Sequence, residues 1–553
     1  MTPMFKSAEI SSARPVSPPV TRPAVWPLAL VILLLWGSIA GLLAVSLQGT
    51  DGQLVYALDD PYIHMAMAKN LALHGVWGVS SDGFTSSSSS IAWTAGLALF
   101  FKVFGVRDVI PFILNAVMAT LTVAVAYRLL LRQVPHIPSA ASSVVLAVFT
   151  FATPLPALVF VGQEHILHVL LTLLFVFMAA DVVSDQRGPV QSKRFLTLAA
   201  LGMLLVLVRY EGLYPIAVTA GLLLLRRRIP EAVVLGLAAS SPLAVYAAIS
   251  VGNGWWWAPN SVLLKGNLPD WKTVDGIVNL LGYTAYSSLL ALPVVAFLVY
   301  AAVAMLAWHA VRGFWKPVPV MLAIFVPVAL MHLQYSQPRA FWMFRYEAHL
   351  VAVGLFALAA GLFRGRDDAE APEEGFGKAI PALAVIVLLL ISPLPDRAVK
   401  SAARVPGATA NIYEQQYQMG RFLREYYPGA PVALNDIGAP TYLADVRALD
   451  LVGLASINVA KLRRAGVYSA ATIDDLVRDS DVRVAIVYDQ WFPRSLPPAW
   501  LRAGSWTIRH PVVVGSDTVT FYATRRQEYP SLVAHLRDFE STLPPTVKAV
   551  PVR

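Results

Sequence analysis

Two adjacent carboxylates, Asp59 and Asp60, follow the first long apolar segment, where a short helix is expected to begin. Pro61 comes next, and proline favours the first turn of a helix, so the simplest role for Asp60 is to cap the helix N-terminus. Asp59 has no such structural task. The positive end of a helix also keeps a carboxylate ionised and able to accept a proton. His64 shares the helix face of Asp60, although an interfacial histidine explains it equally well.

Two further sets of ionisable side chains lie inside or beside apolar segments, where charges are costly and usually functional. Glu164 and His165 are neighbours at the start of one such segment, and Arg209 lies two residues before Glu211 at the end of another. A structural ion pair that locks two helices together is the alternative for Arg209 and Glu211. All four are therefore functional candidates.

A run of serines from Ser86 to Ser90 precedes the apolar segment that begins at Ile91. Hydroxyl groups and backbone N–H groups at the start of a helix suit a phosphate or the hydroxyls of a sugar. Ser89 and Ser90 are the candidates for such a contact. A flexible linker explains the same run without a ligand.

The loop from Trp255 to Lys265 joins three tryptophans to an amide and a cation. Tryptophans at a membrane interface are usually anchors, although aromatic faces also stack on sugars and lipid headgroups. Asn260 supplies the amide, and Lys265 supplies a point charge for a phosphate.

Arg339 and Arg345 fall on the outer side of the membrane, where the charge rule disfavours cations. An anionic partner on that face explains their position. Tyr346 directly follows Arg345 and belongs to the same candidate site.

The composition places this chemistry in a membrane. Of the 553 residues, 57% are hydrophobic and only 14% are charged, which indicates many membrane spans and excludes an ordinary soluble protein. Much of the net charge of +9 sits in short clusters beside apolar runs, where the positive-inside rule explains it better than nucleic-acid binding. The chain contains no cysteine, which excludes disulfides, thiol catalysis and cysteine metal sites.

We predict about eleven transmembrane helices, with the N-terminus inside and the Lys/Arg-rich connections in the cytoplasm. The predicted spans are Trp26–Leu47, Asp108–Leu131, Ala140–Phe160, His165–Asp181, Arg194–Arg209, Leu213–Leu225, Ala232–Val251, Leu289–Val311, Pro317–Tyr335, Tyr346–Phe363 and Lys378–Pro395. Two apolar stretches, Ile91–Gly105 and Val274–Ser288, are short for a span and are predicted to be interfacial or re-entrant.

Three parts follow from this pattern. Residues 1–25 form a polar cytoplasmic tail, 26–395 a transmembrane domain with its first outer loop at 51–90, and 396–553 an outer domain with the composition of a soluble protein. Helical periodicity alternates there with short β-branched runs, so we expect a small α/β domain. The predicted helices are Asn411–Tyr427 and Thr472–Arg478, and the predicted strands are Pro431–Asn435, Val482–Tyr488, Ile508–Val514 and Thr518–Ala523.

Taken together, these motifs resemble the GT-C superfamily of membrane glycosyltransferases, which includes protein O-mannosyltransferases, aminoarabinose transferases and arabinofuranosyltransferases. The acidic pair with its short helix and serine segment looks like the first outer loop of those enzymes. The other segments that carry the resemblance are Gly162-Gln163-Glu164, Arg209-Tyr210-Glu211-Gly212, Ala258-Pro259-Asn260 to Lys265, Asn435-Asp436-Ile437-Gly438-Ala439 and Asp450-Leu451-Val452-Gly453-Leu454.

The resemblance implies transfer of a sugar, with inversion, from a polyprenyl-phosphate donor to a hydroxyl of a glycan, lipid or protein. It implies the outer face of a bacterial inner membrane and a role in cell-envelope glycan or glycolipid synthesis. Asp59 or Asp60 would accept the proton of the acceptor hydroxyl. The implied donor-binding residues are Lys265, Arg345, Arg209, Asn260, Tyr346, Ser89 and Ser90, and the implied supporting residues are His64, Glu164, His165 and Glu211. No residue is assigned to a metal, although a divalent cation is compatible with this chemistry.

Two other functional classes fit the same features. A transporter or flippase for a lipid-linked glycan also needs outer cations and embedded charges, but it should be accessible from the inner side, whereas these candidates gather outside. A non-catalytic sensor would use the outer domain to bind a ligand. Replacing both Asp59 and Asp60 with asparagine separates these classes from an enzyme, because only an enzyme loses sugar transfer while it keeps donor binding.

Overall fold

The computed structural model describes residues 24–185, 192–265, 273–280, 282–335, 342–364 and 392–551. The predicted cytoplasmic tail up to residue 23, Arg339 and most of the predicted span Lys378–Pro395 lie outside these ranges.

The membrane part is a bundle of helices whose bounds follow the apolar runs of the sequence. In chain order, these helices are α1 (Trp26–Gln48), α2 (Asp60–His74), α3 (Ile91–Phe104), α4 (Val109–Gln133), α5 (Ser139–Ala152), α6 (Leu155–Val161), α7 (His165–Ser184), α8 (Ser192–Val208), α9 (Leu213–Leu225), α10 (Ile229–Gly252), α11 (Asn260–Lys265), α12 (Val274–Leu280), α13 (Tyr283–Ala291), α14 (Pro293–Gly313), α15 (Pro317–Tyr335) and α16 (Ala348–Arg364). A short 3-10 turn, Tyr210–Gly212, joins α8 to α9.

The chain is a multi-pass membrane protein. Within the described ranges, six segments are long and apolar enough to cross a membrane: α1, α4, α5 with α6, α7, α10 and α15. Helix α14 adds a seventh when it is taken together with α13, to which it is bent by 112°. The shorter helices α8, α9 and α16 coincide with three more predicted spans. The count of about eleven stays a prediction, because most of the last predicted span lies outside the described residues.

The two stretches that were predicted not to span form short helices. Ile91–Gly105 forms α3, which has 14 residues, whereas a helix needs about 20 residues to cross the hydrocarbon core. Val274–Ser288 is divided between α12 and α13. Neither stretch is long enough to span alone, and the interfacial or re-entrant position of both stays a prediction.

The outer domain begins with a long helix and contains one mixed sheet, which confirms the predicted α/β class. Its helices are α17 (Leu394–Ile412), α18 (Gln418–Tyr426), α19 (Gly438–Ala444), α20 (Ile457–Arg464), α21 (Ala470–Asp479) and α22 (Tyr529–Glu540), and its strands are β1 (Pro431–Leu434), β2 (Arg447–Asp450), β3 (Val484–Val487), β4 (Leu501–Thr507), β5 (Thr518–Ala523) and β6 (Lys548–Pro551). The strand order is β2-β1-β3-β5-β4-β6. Strands β2, β1 and β3 are parallel, and the remaining pairs are antiparallel.

One predicted strand, Ile508–Val514, is wrong. The strand in this region is β4, which ends at Thr507. Pro511 has no backbone N–H to give to a neighbouring strand, so the β-branched residues around it cannot extend the sheet. Strand β4 itself contains Gly504 and few β-branched residues, which is why composition did not indicate it.

Helix α2, which carries the acidic pair, packs between two hydrophobic cores. Ile63 and Met67 belong to the core of the outer domain together with Phe422. Tyr62 and Met65 belong to the core of the membrane domain. Because a helix places successive side chains on different faces, α2 can contact both domains along its whole length. The position of the acidic pair therefore depends on both domains.

Candidate active site

A cavity of about 340 Å³ lies between the start of α2, the serine segment, α7, α9, α10, α11 and the loop from Trp342 to Tyr346. Leu213, Leu243 and Val262 give it an apolar wall. The predicted site residues that line this cavity are Asp60, His64, Ser89, His165, Arg209, Glu211, Arg345 and Tyr346. The fold thus gathers groups that are far apart in the sequence into one polar hollow beside the membrane helices.

Asp60 contacts Arg345, one of the predicted donor-binding residues. Its carboxylate accepts a hydrogen bond from Arg345 Nη2 at 2.5 Å. Helix α2 begins at Asp60 with Pro61 in its first turn, as predicted, but the N-cap position belongs to Asp59. The Asp59 side chain makes no capping hydrogen bond to α2. The predicted capping role of Asp60 is therefore wrong, and the Asp60 carboxylate is directed to an arginine instead.

Asp59 contacts the outer domain rather than the cavity. Its two carboxylate oxygens accept hydrogen bonds from the backbone N–H groups of Gly438 and Ala439, both at 2.8 Å. Burial and the nearby carboxylate of Asp436 raise the pKa of Asp59 to about 8, although the two N–H groups act in the opposite direction. The two members of the acidic pair therefore have different partners.

Arg345 is 2% exposed and is held by three polar groups. Besides the bond to Asp60, Nη1 donates to Gln163 Oε1 at 2.5 Å and Nη2 donates to the Tyr346 hydroxyl at 2.8 Å. Its guanidinium also lies over the ring of Trp342 at 5.1 Å and over that of Tyr346 at 4.7 Å. This planar cation is fixed in position before any ligand arrives.

Arg209 lies between two carboxylates. It donates to Glu211 from Nε at 3.1 Å and from Nη2 at 2.7 Å, and to Glu164 from Nη1 at 2.6 Å. Gly162 precedes Glu164 by two residues and has a positive φ of 66°, which a glycine adopts without strain and which closes the turn after α6. Bidentate contacts of this kind fix both partners, so the structural ion pair considered for Arg209 and Glu211 is present.

The histidines complete the polar lining. His64 Nε2 lies 3.3 Å from Ser89 Oγ and 3.7 Å from a carboxylate oxygen of Glu164. Burial lowers the pKa of His64, which favours its neutral form. The ring of His165 packs edge-on against Tyr346 at 5.8 Å between centroids. These groups connect the serine segment to both arginines.

Two predicted donor-binding residues hold the backbone instead of lining the cavity. Ser90 caps α3 by accepting a hydrogen bond from Trp93 N at 3.2 Å. Asn260 donates from its side chain to the Gly453 carbonyl at 2.7 Å, and from its backbone to the Ser86 carbonyl at 2.8 Å. Asn260 therefore joins α11 to the serine segment and to the outer domain.

Two other predicted cations cannot be placed, because Arg339 lies outside the described residues and the side chain of Lys265, at the end of α11, is not described. Conversely, the cavity lining also contains residues that were absent from the predicted set, among them Gln163, Trp342 and Leu454. Gln163 and Trp342 belong to motifs that contain predicted residues, so their neighbours could have indicated them. Leu454 reaches the cavity from the outer domain, and no local pattern predicts that contact.

A metal site is not supported in the part of the chain that the structure describes. No group of three or more His, Asp or Glu side chains in these ranges is arranged to hold a metal ion.

Comparisons with known proteins agree with this architecture. A family model described as a domain of unknown function, DUF8728, matches residues 410–522 in the outer domain, and no curated protein matches the sequence. The crystal structure of ArnT from Cupriavidus metallidurans bound to undecaprenyl phosphate aligns with a TM-score of 0.51 and 12% identity over 91% of this chain and 99% of that chain. The Archaeoglobus fulgidus oligosaccharyltransferase in its apo form aligns with a TM-score of 0.51 and 12% identity over 96% of this chain and 76% of that chain. The described chain therefore has the fold of the GT-C membrane glycosyltransferases.

Proposed function

We propose that this protein is a glycosyltransferase that moves a sugar from a polyprenyl-phosphate donor to an acceptor hydroxyl at the outer face of a bacterial inner membrane. The shared fold with ArnT, whose crystal structure contains undecaprenyl phosphate, supports the general kind of reaction. The polar cavity with one apolar wall supports a ligand that has a charged head and a lipid tail. In this proposal the N-terminus is cytoplasmic, the outer domain is periplasmic, and the product belongs to a cell-envelope glycan or glycolipid.

Asp60 is the better candidate for the general base of the acidic pair. Its carboxylate lines the cavity and its side chain is 28% exposed, whereas both oxygens of Asp59 accept backbone hydrogen bonds. The acceptor oxygen attacks the anomeric carbon of the sugar and gives its proton to Asp60. The bond between that carbon and the phosphate oxygen breaks, and polyprenyl phosphate leaves with the electron pair. Attack opposite the leaving group inverts the configuration.

The observation that carries the proposal is the state of Arg345. Two of its nitrogens are bound, but its Nε has no hydrogen-bond partner among the described residues, although the side chain is buried. Leaving a buried donor unsatisfied costs about 1–3 kcal/mol, so an acceptor that reached Nε would be favoured. A donor phosphate in the cavity would compete with Asp60 for Nη2. That competition would release an Asp60 oxygen for the acceptor and place a fixed cation beside the leaving phosphate.

The other predicted donor-binding groups contribute differently. Arg209 is already neutralised by Glu164 and Glu211, so we assign it to holding the site together rather than to the phosphate. Lys265 stays a candidate for the phosphate, because its helix α11 contributes Ser261 and Val262 to the cavity. A leaving phosphate needs no general acid, since fixed cations can stabilise its charge.

The test compares Asp60→Asn with Asp82→Asn in purified protein supplied with polyprenyl-phosphate sugars. Asp82 is an exposed carboxylate of the same outer loop and lies 3.9 Å from an exposed arginine, Arg447. Asp60→Asn should reduce transfer by about 100-fold or more and keep donor binding, whereas Asp82→Asn should be neutral. Transfer at the wild-type rate by Asp60→Asn would refute the base assignment.

The donor and acceptor can be identified separately. A deletion strain should accumulate one lipid-linked sugar and lack one sugar on a surface glycan or glycolipid, and mass spectrometry of both fractions measures this. Unchanged lipid-linked sugars and glycans would exclude the transferase. A flippase would instead leave the donor confined to the inner leaflet.

A further inference from the structure

The outer domain binds the start of α2 at Asp59, the residue next to the proposed base. Gly438 and Ala439 each donate a backbone N–H to one oxygen of Asp59, at 2.8 Å in both cases. Aspartate has two side-chain oxygens, and each of them can accept one such bond. Asp59 is thereby tied to a segment 379 residues away in the sequence.

Gly438 is matched to this contact. A Cβ at this position would lie 2.1 Å from the Asp59 carbonyl oxygen and 2.7 Å from its Oδ1, closer than any side chain tolerates. The backbone of the outer domain therefore approaches Asp59 as closely as it does because residue 438 has no side chain.

Further contacts along α2 hold it against the same part of the outer domain. Lys69 Nζ lies 2.7 Å from Asp445 Oδ1 and donates to the Tyr442 carbonyl at 3.0 Å. The Tyr442 hydroxyl in turn donates to Asp108 of the membrane part at 2.5 Å. Ile63 packs into the core of the outer domain. The contact at Asp59 is thus the first of several along one helix face.

We infer that Asp59 is a positioning residue through which the outer domain fixes the N-terminus of α2, so that Asp60 faces Arg345. This inference rests on the proposed function and divides the acidic pair into two roles. Asp60 lines the cavity, whereas both side-chain oxygens of Asp59 are bound by the outer domain. The outer domain is accordingly part of the active site, and it also supplies Leu454 to the cavity.

The test combines Asp59→Asn, Gly438→Ala and their double variant, with Gly83→Ala as control. An asparagine has one acceptor oxygen, and its NH2 group would face a backbone N–H. Asp59→Asn therefore weakens the contact from the α2 side, and Gly438→Ala weakens it from the side of the outer domain. Each single variant should reduce kcat by about 10- to 100-fold and leave the KM for the donor unchanged, because misplacement of a catalytic group has that effect. The double variant should be no worse than the poorer single variant. A Cβ at Gly83 meets no atom within 4 Å, so the control should be neutral.

Three results would overturn the inference: a kcat of Asp59→Asn equal to that of the wild type, multiplicative losses in the double variant, or complete loss in Asp59→Asn with wild-type activity in Gly438→Ala. The last result would make Asp59 the base. Hydrogen–deuterium exchange of α2 keeps the test independent of transfer activity. Both single variants should speed hydrogen exchange at the start of α2. Unchanged exchange would refute the proposed positioning role of Asp59 even if no donor is found. Faster exchange in a protein that transfers no sugar would refute only the proposed function.

Discussion

Replacing Arg397 with methionine should destabilise the protein by about 3–5 kcal/mol. The guanidinium is 3% exposed and donates to Glu347 Oε1 at 2.8 Å, to the Ala152 carbonyl at 2.8 Å and to the Phe344 carbonyl at 3.0 Å. Methionine fills a similar volume but leaves Glu347, which is 1% exposed, without its counterion. The uncompensated buried carboxylate accounts for most of the expected loss.

Part of this loss should return when the carboxylate is neutralised as well. Arg397→Met combined with Glu347→Gln should be about 1–3 kcal/mol more stable than Arg397→Met alone, because the double variant contains no unpaired buried charge.

The same substitution should also weaken donor binding. Met343 and Phe344, directly before Arg345, have positive φ values of 51° and 53°, which residues other than glycine rarely adopt. Arg397 holds Phe344 in this conformation through its carbonyl and through its ring, 4.5 Å from the guanidinium. Without Arg397 the turn can relax and displace Arg345, so we expect about a tenfold increase in the Kd for polyprenyl phosphate, or about 1.4 kcal/mol.

Denaturant unfolding in detergent, followed by tryptophan fluorescence, measures the stability change. Lys400→Met is the matched control, because Lys400 lies on the same helix, is 58% exposed and pairs with Asp396 at 2.7 Å. An exposed pair of this kind contributes about 0.3–0.5 kcal/mol. If Arg397→Met destabilises the protein no more than Lys400→Met does, the buried ion pair does not hold this loop.

Three further predictions follow from single contacts. Gly162→Ala places a Cβ 2.5 Å from the Tyr56 ring at a positive φ, so it should cost about 2 kcal/mol or more, measured by the same unfolding assay. Arg209→Lys keeps the charge but loses the bidentate contact to Glu211, so it should cost about 1–3 kcal/mol and lower thermal stability, whereas full stability would refute the structural role of this pair. Because burial raises the pKa of Asp59 to about 8, the folded state binds this proton more tightly than the unfolded state, and the unfolding free energy should fall by at most about 1.4 kcal/mol per pH unit between about pH 4 and pH 8. Asp59→Asn should make that slope shallower, and an unchanged slope would contradict the assignment.

The membrane helices could be predicted closely because the bilayer imposes a local rule. In lipid, each backbone polar group must be satisfied within its own helix, so an apolar run and its charged ends set the helix bounds. Leu213–Leu225 and Pro317–Tyr335 were predicted with the bounds that the structure gives. The outer domain follows no such rule. Its strand β4 is set by pairing with β5 and β6, which lie elsewhere in the chain, and the sequence around Ile508 was misleading for that reason.

The contacts of the acidic pair could be predicted only in part from the local sequence. Its position before a short helix, and the presence of outer cations, could be predicted from residue types. The partners could not, because Asp60 meets Arg345 across 285 residues and Asp59 meets Gly438 across 379 residues. Both contacts join segments that are far apart in the chain, and a pattern within one segment does not contain that information.

Long-range pairing also explains why the number of outer cations in the sequence overestimates the number of residues that can bind a phosphate. In the sequence, Arg209 and Arg345 look equivalent. In the fold, Arg209 has a carboxylate on each side, and the negative charges of Glu164 and Glu211 would repel an incoming phosphate. Arg345 has one carboxylate partner that a phosphate can replace, and a buried Nε without a hydrogen-bond partner among the described residues. The charge that surrounds each arginine therefore favours Arg345 over Arg209 as the phosphate-binding residue of the proposed function.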